Sequence, residues 1–166
     1  MEALKLKIFE VIGARIVIEE FENWLYNEFD LLKSIDSNTT LFDVITLNYK
    51  KSNCLAKLLK KSSELFTYEE YTLLRIVYSC RIIISTKSKS IIFKEISELN
   101  RDFDFETEYR LIWLFYALNE QIDLSKDGLI KESTTLKTIR NHSQTVISRF
   151  QRSSSLSEML EILHYE

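Results

Sequence analysis

Histidines, cysteines and clustered carboxylates are the side chains best able to do chemistry, and few stand here in working arrangements. The two histidines are His142 and His164. Imidazole titrates near neutrality and serves general-base catalysis and metal binding. His164 stands where it can simply offset the dipole of a final helix. His142 follows Arg140 and Asn141, so Arg140 and His142 need weighing as a pair. Residues two apart on a helix point in different directions, however, so this pair diverges. The two cysteines, Cys54 and Cys80, have no second thiol or histidine at metal-ligand spacing. Serines abound without the Gly-x-Ser-x-Gly setting of a nucleophile elbow. No catalytic residue, metal or cofactor is therefore expected.

The run Asp102-Phe103-Asp104-Phe105-Glu106-Thr107-Glu108-Tyr109 is more unusual. Acids in the first turn of a helix offset its positive end, each worth about 0.3–1 kcal/mol. Two would suffice for that. Four interleaved with aromatics also describe a patch that attracts a basic partner and anchors it with rings. Asp102, Asp104, Glu106 and Glu108, with Phe103 and Phe105, are thus the first candidates for a protein contact. Phe103 and Phe105 diverge on a helix, so one is expected to anchor inside. Glu19, Glu20 and Asp30 come next.

The charge is unevenly spread. Residues 1–45 hold nine acids and four bases, residues 46–100 five and ten, and residues 101–166 eleven and eight. The basic middle includes Lys50, Lys51, Lys57, Lys60 and Lys61. Three of these occupy the polar side of an amphipathic, leucine-backed segment, which reads as a solvated face. Direct nucleic-acid binding is not expected.

The elements that must position these residues are helical. The chain has 166 residues, two glycines (Gly13 and Gly128) and no proline. Glycine-rich phosphate loops, dinucleotide fingerprints and tight hairpins need more glycine than that. Apolar residues recur at three-four spacing in 53–66, in Leu73–Ile84, from Asp104 or Glu106 to about Ile122, in Thr134–Phe150 and in Leu156–Leu163. Ser155 and Glu158 have capping-box spacing at the last of these. Leu4, Leu6 and Ile8 alternate as a strand would, but Leu4, Ile8, Val11 and Ile12 also fit a helix, which is preferred. Linkers are expected at Ser34–Thr40, Ser85–Ser90 and Asp123–Gly128. The expected fold is all-α, one compact helical bundle over 1–166. Lys5, Lys7 and Glu10 interrupt any signal-peptide core. The uncharged stretch Leu111–Asn119 falls short of the roughly 20 residues of a membrane span. A cytoplasmic location without membrane contact is expected.

Two resemblances bear on function. Arg140-Asn141-His142 is similar in part to the Arg-Asn-x(4)-His signature of HEPN ribonucleases, whose helical domains set arginine and histidine beside a phosphate. That signature needs a histidine near 146, where Thr145, Val146 and Ile147 stand. The second covers about residues 8–85. Glu19 and the segment Glu20-Phe21-Glu22-Asn23-Trp24-Leu25-Tyr26, then Leu41-Phe42-Asp43-Val44-Ile45-Thr46-Leu47-Asn48-Tyr49-Lys50, resemble small bacterial immunity proteins encoded beside secreted or contact-delivered toxins. Cys54–Leu65 resembles their leucine-lysine helix, and Tyr68–Ile84 the helix that follows. The connector Asn27–Asn38 is less acidic than theirs, and the C-terminal half has no counterpart. The resemblance implies a stoichiometric inhibitor that covers a cognate toxin's active site or a neighbouring surface. Many such toxins are basic nucleases, for which acids are the complement. Phe21, Trp24 and Leu25 share three-four spacing, and Trp24 is expected inside the bundle. A helical scaffold or adaptor using its basic middle helix is the competing reading, and a degenerate ribonuclease the third.

Overall fold

The three-four spacing of apolar residues folds as helix throughout the described chain. A computed structural model describes residues 1–28, 33, 38–103 and 108–164. Among these, nine α-helices and two 3₁₀ turns occur, with no strand. The fold is all-α. Its contacts gather into two units, residues 1–74 and 75–166, described in turn.

The first unit holds α1 (Glu2–Ile12), α2 (Ile18–Asn27), α3 (Thr39–Ile45), α4 (Cys54–Lys61), a 3₁₀ turn (Ser63–Leu65) and the first turns of α5 (Tyr68–Ser85). The ambiguous Leu4–Ile8 stretch is helical, with Leu4, Ile8, Phe9, Val11 and Ile12 buried. Asn38 caps α3 by accepting from the Leu41 N–H at 2.9 Å. Thr67 and Glu70 form a reciprocal capping box on α5: the Glu70 N–H donates to the Thr67 hydroxyl at 3.2 Å, and the Thr67 N–H donates to the Glu70 carboxylate at 2.8 Å. That buried carboxylate also receives Lys5 of α1 at 3.0 Å. Desolvation pulls the Lys5 ammonium down, but the hydrogen bond and charge of Glu70 outweigh it and raise it on balance. The pair therefore supports the fold below the ordinary lysine range and loses that support only as pH climbs through the raised value.

Trp24 corrects an expectation. It is only half-buried, while Phe21 and Leu25 are fully buried. One turn apart, these two take the inward line of α2 and leave Trp24 at its edge. Phe21 packs edge-on against Tyr49, ring centroids 5.6 Å apart, and the Tyr49 hydroxyl donates to the Val44 carbonyl at 2.6 Å. Phe21→Ala should therefore cost about 3–5 kcal/mol, and Trp24→Ala clearly less. Equilibrium urea unfolding of the two variants checks that order.

The end of α1 carries a second local departure. Ala14, not glycine, takes the left-handed position, with φ 58°. The Arg15 N–H reaches back to the Glu10 carbonyl at 2.8 Å and the Ala14 N–H to Val11 at 3.3 Å, the Schellman pattern. The same pattern ends α7 (Arg110–Lys126), where Gly128 supplies φ 75° and the Leu129 N–H reaches Leu124 at 2.9 Å. An L-residue with a Cβ pays about 1–2 kcal/mol in this region, partly offset by glycine's looser unfolded chain. Ala14→Gly should raise stability by about 0.5–1 kcal/mol, read as a higher denaturation midpoint.

The second unit holds the rest of α5, α6 (Lys89–Asp102), α7, α8 (Glu132–Arg152), α9 (Leu156–Leu160) and a 3₁₀ turn (Glu161–His164). Helix α6 packs on α7, α7 on α8, and the last turn on both α7 and α8. Three boundaries differ from expectation. The expected Asp123–Gly128 linker is helical as far as Lys126, so α7 runs past Ile122. The stretch after the Ser85–Ser90 linker, for which the spacing predicts no helix, forms α6. The acidic run does not open α7: Asp102 closes α6, and α7 begins at Arg110. At α9 the Ser155 hydroxyl accepts from the Glu158 N–H at 3.2 Å, but the Glu158 carboxylate takes the Ser154 N–H and hydroxyl, at 2.5 and 2.8 Å, instead of closing the box on Ser155.

Candidate protein-binding surface

The acidic run divides on inspection. Asp102 is turned back into its own unit, where its carboxylate accepts from Arg75 Nε at 3.2 Å. Phe103 is buried, at 8% exposure. Glu108, Glu19 and Glu20 are exposed, and Glu20 accepts from the Val17 N–H at 3.4 Å at the start of α2. Asp30, Asp104, Phe105 and Glu106 lie outside the described residues.

Arg75 holds a polar cluster in the second unit. On α5, Arg75 Nη1 donates to the Ser79 hydroxyl, which donates to the Glu95 carboxylate at 2.8 Å. Glu98 and Asp102 face the same guanidinium, at 3.6 and 3.2 Å. Arg75, Ser79 and Glu95 are buried. Glu95, Glu98 and Asp102 stand at i, i+3 and i+7 on α6, one face of a helix. One cation thus organises three carboxylates and ties α6 to α5 by charge.

The residues singled out for nucleophilic or acid-base work have other engagements. Arg140 Nη2 donates to the Thr86 carbonyl at 2.8 Å, satisfying a backbone acceptor just past the end of α5. His142 is half-buried on α8. Cys80 is fully buried, and burial pushes its thiol up to about 12, away from the thiolate form in which a cysteine is reactive. Sequence reasoning missed one metal-pair spacing, Glu161 to His164. Both sit in the final 3₁₀ turn, where the His164 ring stacks edge-on against Tyr109 at 5.5 Å. Among the described residues no group of three or more His, Cys, Asp or Glu side chains could hold a metal ion.

The surface that stands out is on α7. Its inner face buries Leu111, Ile112, Phe115, Leu118 and Ile122. Its outer face exposes Trp113 by 47%, Tyr116 by 37% and Leu124 by 41%. The Trp113 and Tyr116 rings meet edge-on, centroids 6.5 Å apart. Further along the same stripe, Glu120, Asp123, Leu124 and Asp127 line a hollow of about 370 Å³. Helical rise puts Leu124 roughly 16 Å along the axis from Trp113. Tryptophan and tyrosine are the residues that most often carry binding energy at protein interfaces, and three acids beside them set the sign of what fits.

Sequence reasoning missed Trp113 and Tyr116. The signal was present: Leu111–Asn119 is apolar on all sides, more than a helix with one core face can bury. No protein-family model, no curated protein and no solved structure matches the chain.

Proposed function

We propose that this chain works by binding another protein: an immunity protein that neutralises a basic bacterial toxin, a nuclease by its charge, through stoichiometric contact. The observation that carries this reading is the α7 stripe, an exposed tryptophan–tyrosine pair running into a hollow lined by three acids. Rings of this kind anchor a contact, and acids accelerate encounter with a cationic partner and fix its register. A lysine or arginine of the toxin is the natural occupant of the Glu120–Asp127 hollow. The resemblance over residues 8–85 supports the same class, because such an inhibitor acts by coverage and turns nothing over.

The test is co-expression with the C-terminal domain of the protein encoded immediately upstream. A 1:1 complex that survives gel filtration, together with rescue of growth from that domain, is the expected result. Failure of both overturns the proposal, and RNA cleavage by the purified chain that His142→Ala abolishes would replace it with the ribonuclease reading.

A further inference from the structure

A cleft of about 600 Å³ opens in the first unit between α3, α4 and the Ser63–Leu65 turn. Two ties hold its walls. Lys61 Nζ lies 2.8 Å from an Asp43 carboxylate oxygen, and the Thr40 hydroxyl donates to Glu64 at 2.9 Å. Both carboxylates of the lining are thereby engaged within the protein. Lys57 and Lys60 also line the cleft, and the ammonium of neither has an ion pair or hydrogen-bond partner among the described residues. They stand at i, i+3 and i+4 with Lys61, a spacing at which like charges repel. The negative end of α4 accounts for Lys60 and Lys61, which lie in its last turn. It does not account for Lys57, one turn earlier.

We propose that this cleft binds a small phosphate-bearing molecule. The donors are lysine ammoniums, compact point charges with three rotatable N–H groups, which suit the spread oxygens of a phosphate better than a planar carboxylate. The Thr39 hydroxyl, on the opposite wall, adds a neutral donor. The volume falls within the range of small-ligand sites, about 300–1,000 Å³, and exceeds what bare phosphate fills, so the ligand carries a second phosphate or an organic group. Leu47, nearly buried, provides an apolar surface for it. The cross-ties link the two walls of the cleft. This site and the α7 stripe rest on separate observations, and either can fail alone.

The experiment is a titration of the full chain with pyrophosphate and with inorganic phosphate, followed by calorimetry and by amide shifts in NMR spectra. Saturable 1:1 binding of pyrophosphate is expected, tighter than that of phosphate. Lys57→Gln and Lys60→Gln should each weaken it by about tenfold, the worth of one charged hydrogen bond. Lys137→Gln, an exposed lysine on α8, should leave it unchanged, and thermal melts without ligand confirm that each variant is folded. Absence of saturable binding overturns the proposal. So does equal weakening by Lys137→Gln, which would show general surface charge. Binding of heparin but not of pyrophosphate overturns it too, assigning the lysines to a macromolecular polyanion.

Discussion

Arg75→Met should destabilise the protein by about 3–5 kcal/mol, the usual consequence of removing one side of a buried ion pair. The substitution keeps a long, flexible side chain in the space, so lost packing is a small part of the effect. The larger part is what remains: the buried Glu95 loses its cation, while Glu98 and Asp102, more exposed, keep only Lys94 at 3.7 Å and Arg101 at 3.5 Å. Urea unfolding of parent and variant measures the loss, and one below about 1 kcal/mol would mean that the guanidinium does little to hold the carboxylates together. The companion Asp102→Asn, which keeps the hydrogen-bonding shape at the partly exposed end of the cluster, should cost far less. Its effect would fall on stability through Arg75, which is why Asp102 is a poor place to look for a partner.

The same cluster explains where the sequence was hard to read. Helices α5, α7 and α8 were legible because Leu73, Ile76, Val77, Cys80 and Ile83, or Ile139, Val146, Ile147 and Phe150, repeat every three or four residues and are indeed buried. Helix α6 was not, because the stripe of Ile92, Ile96 and Leu99 is interrupted by Glu95, a carboxylate buried against Arg75. Binary patterning counts such a residue as solvent-facing. A charge pair formed between two helices is invisible when each helix is read alone. Trp24 misled in the opposite sense: its size argued for the core, but Phe21 and Leu25 already fill the inward line of α2. On α7 the error was to count apolar residues without counting faces. Its inner stripe is complete with five residues, and the tryptophan and tyrosine left over had only the surface to occupy. A lone exposed ring needs no explanation. Two in contact, continuous with three acids, do.

Trp113→Ala should accordingly weaken the complex with the cognate toxin by about 2 kcal/mol or more, a loss of roughly thirtyfold, as expected of a tryptophan at the centre of an interface. Because the ring is already 47% exposed in the free chain, the fold itself should lose about 1 kcal/mol or less. That separation between affinity and stability is the signature of a contact residue. Tyr116→Ala should act in the same direction, and less than additively with Trp113→Ala because the two rings touch. The acids should act on a different quantity. Glu120→Gln with Asp127→Asn removes two charges from the hollow without removing bulk, so the association rate should fall and its salt dependence flatten. Asp123 is the less informative choice, since Lys126 already holds it at 2.9 Å. Surface plasmon resonance at two ionic strengths separates the ring effect, which appears in the dissociation rate, from the charge effect, which appears in association. If Trp113→Ala binds and protects as well as the parent, the stripe is not the contact. Glu19 and Glu20, exposed on the first turn of α2, are then the next acids to remove, and an unchanged association rate after their removal as well would leave the charge argument without support.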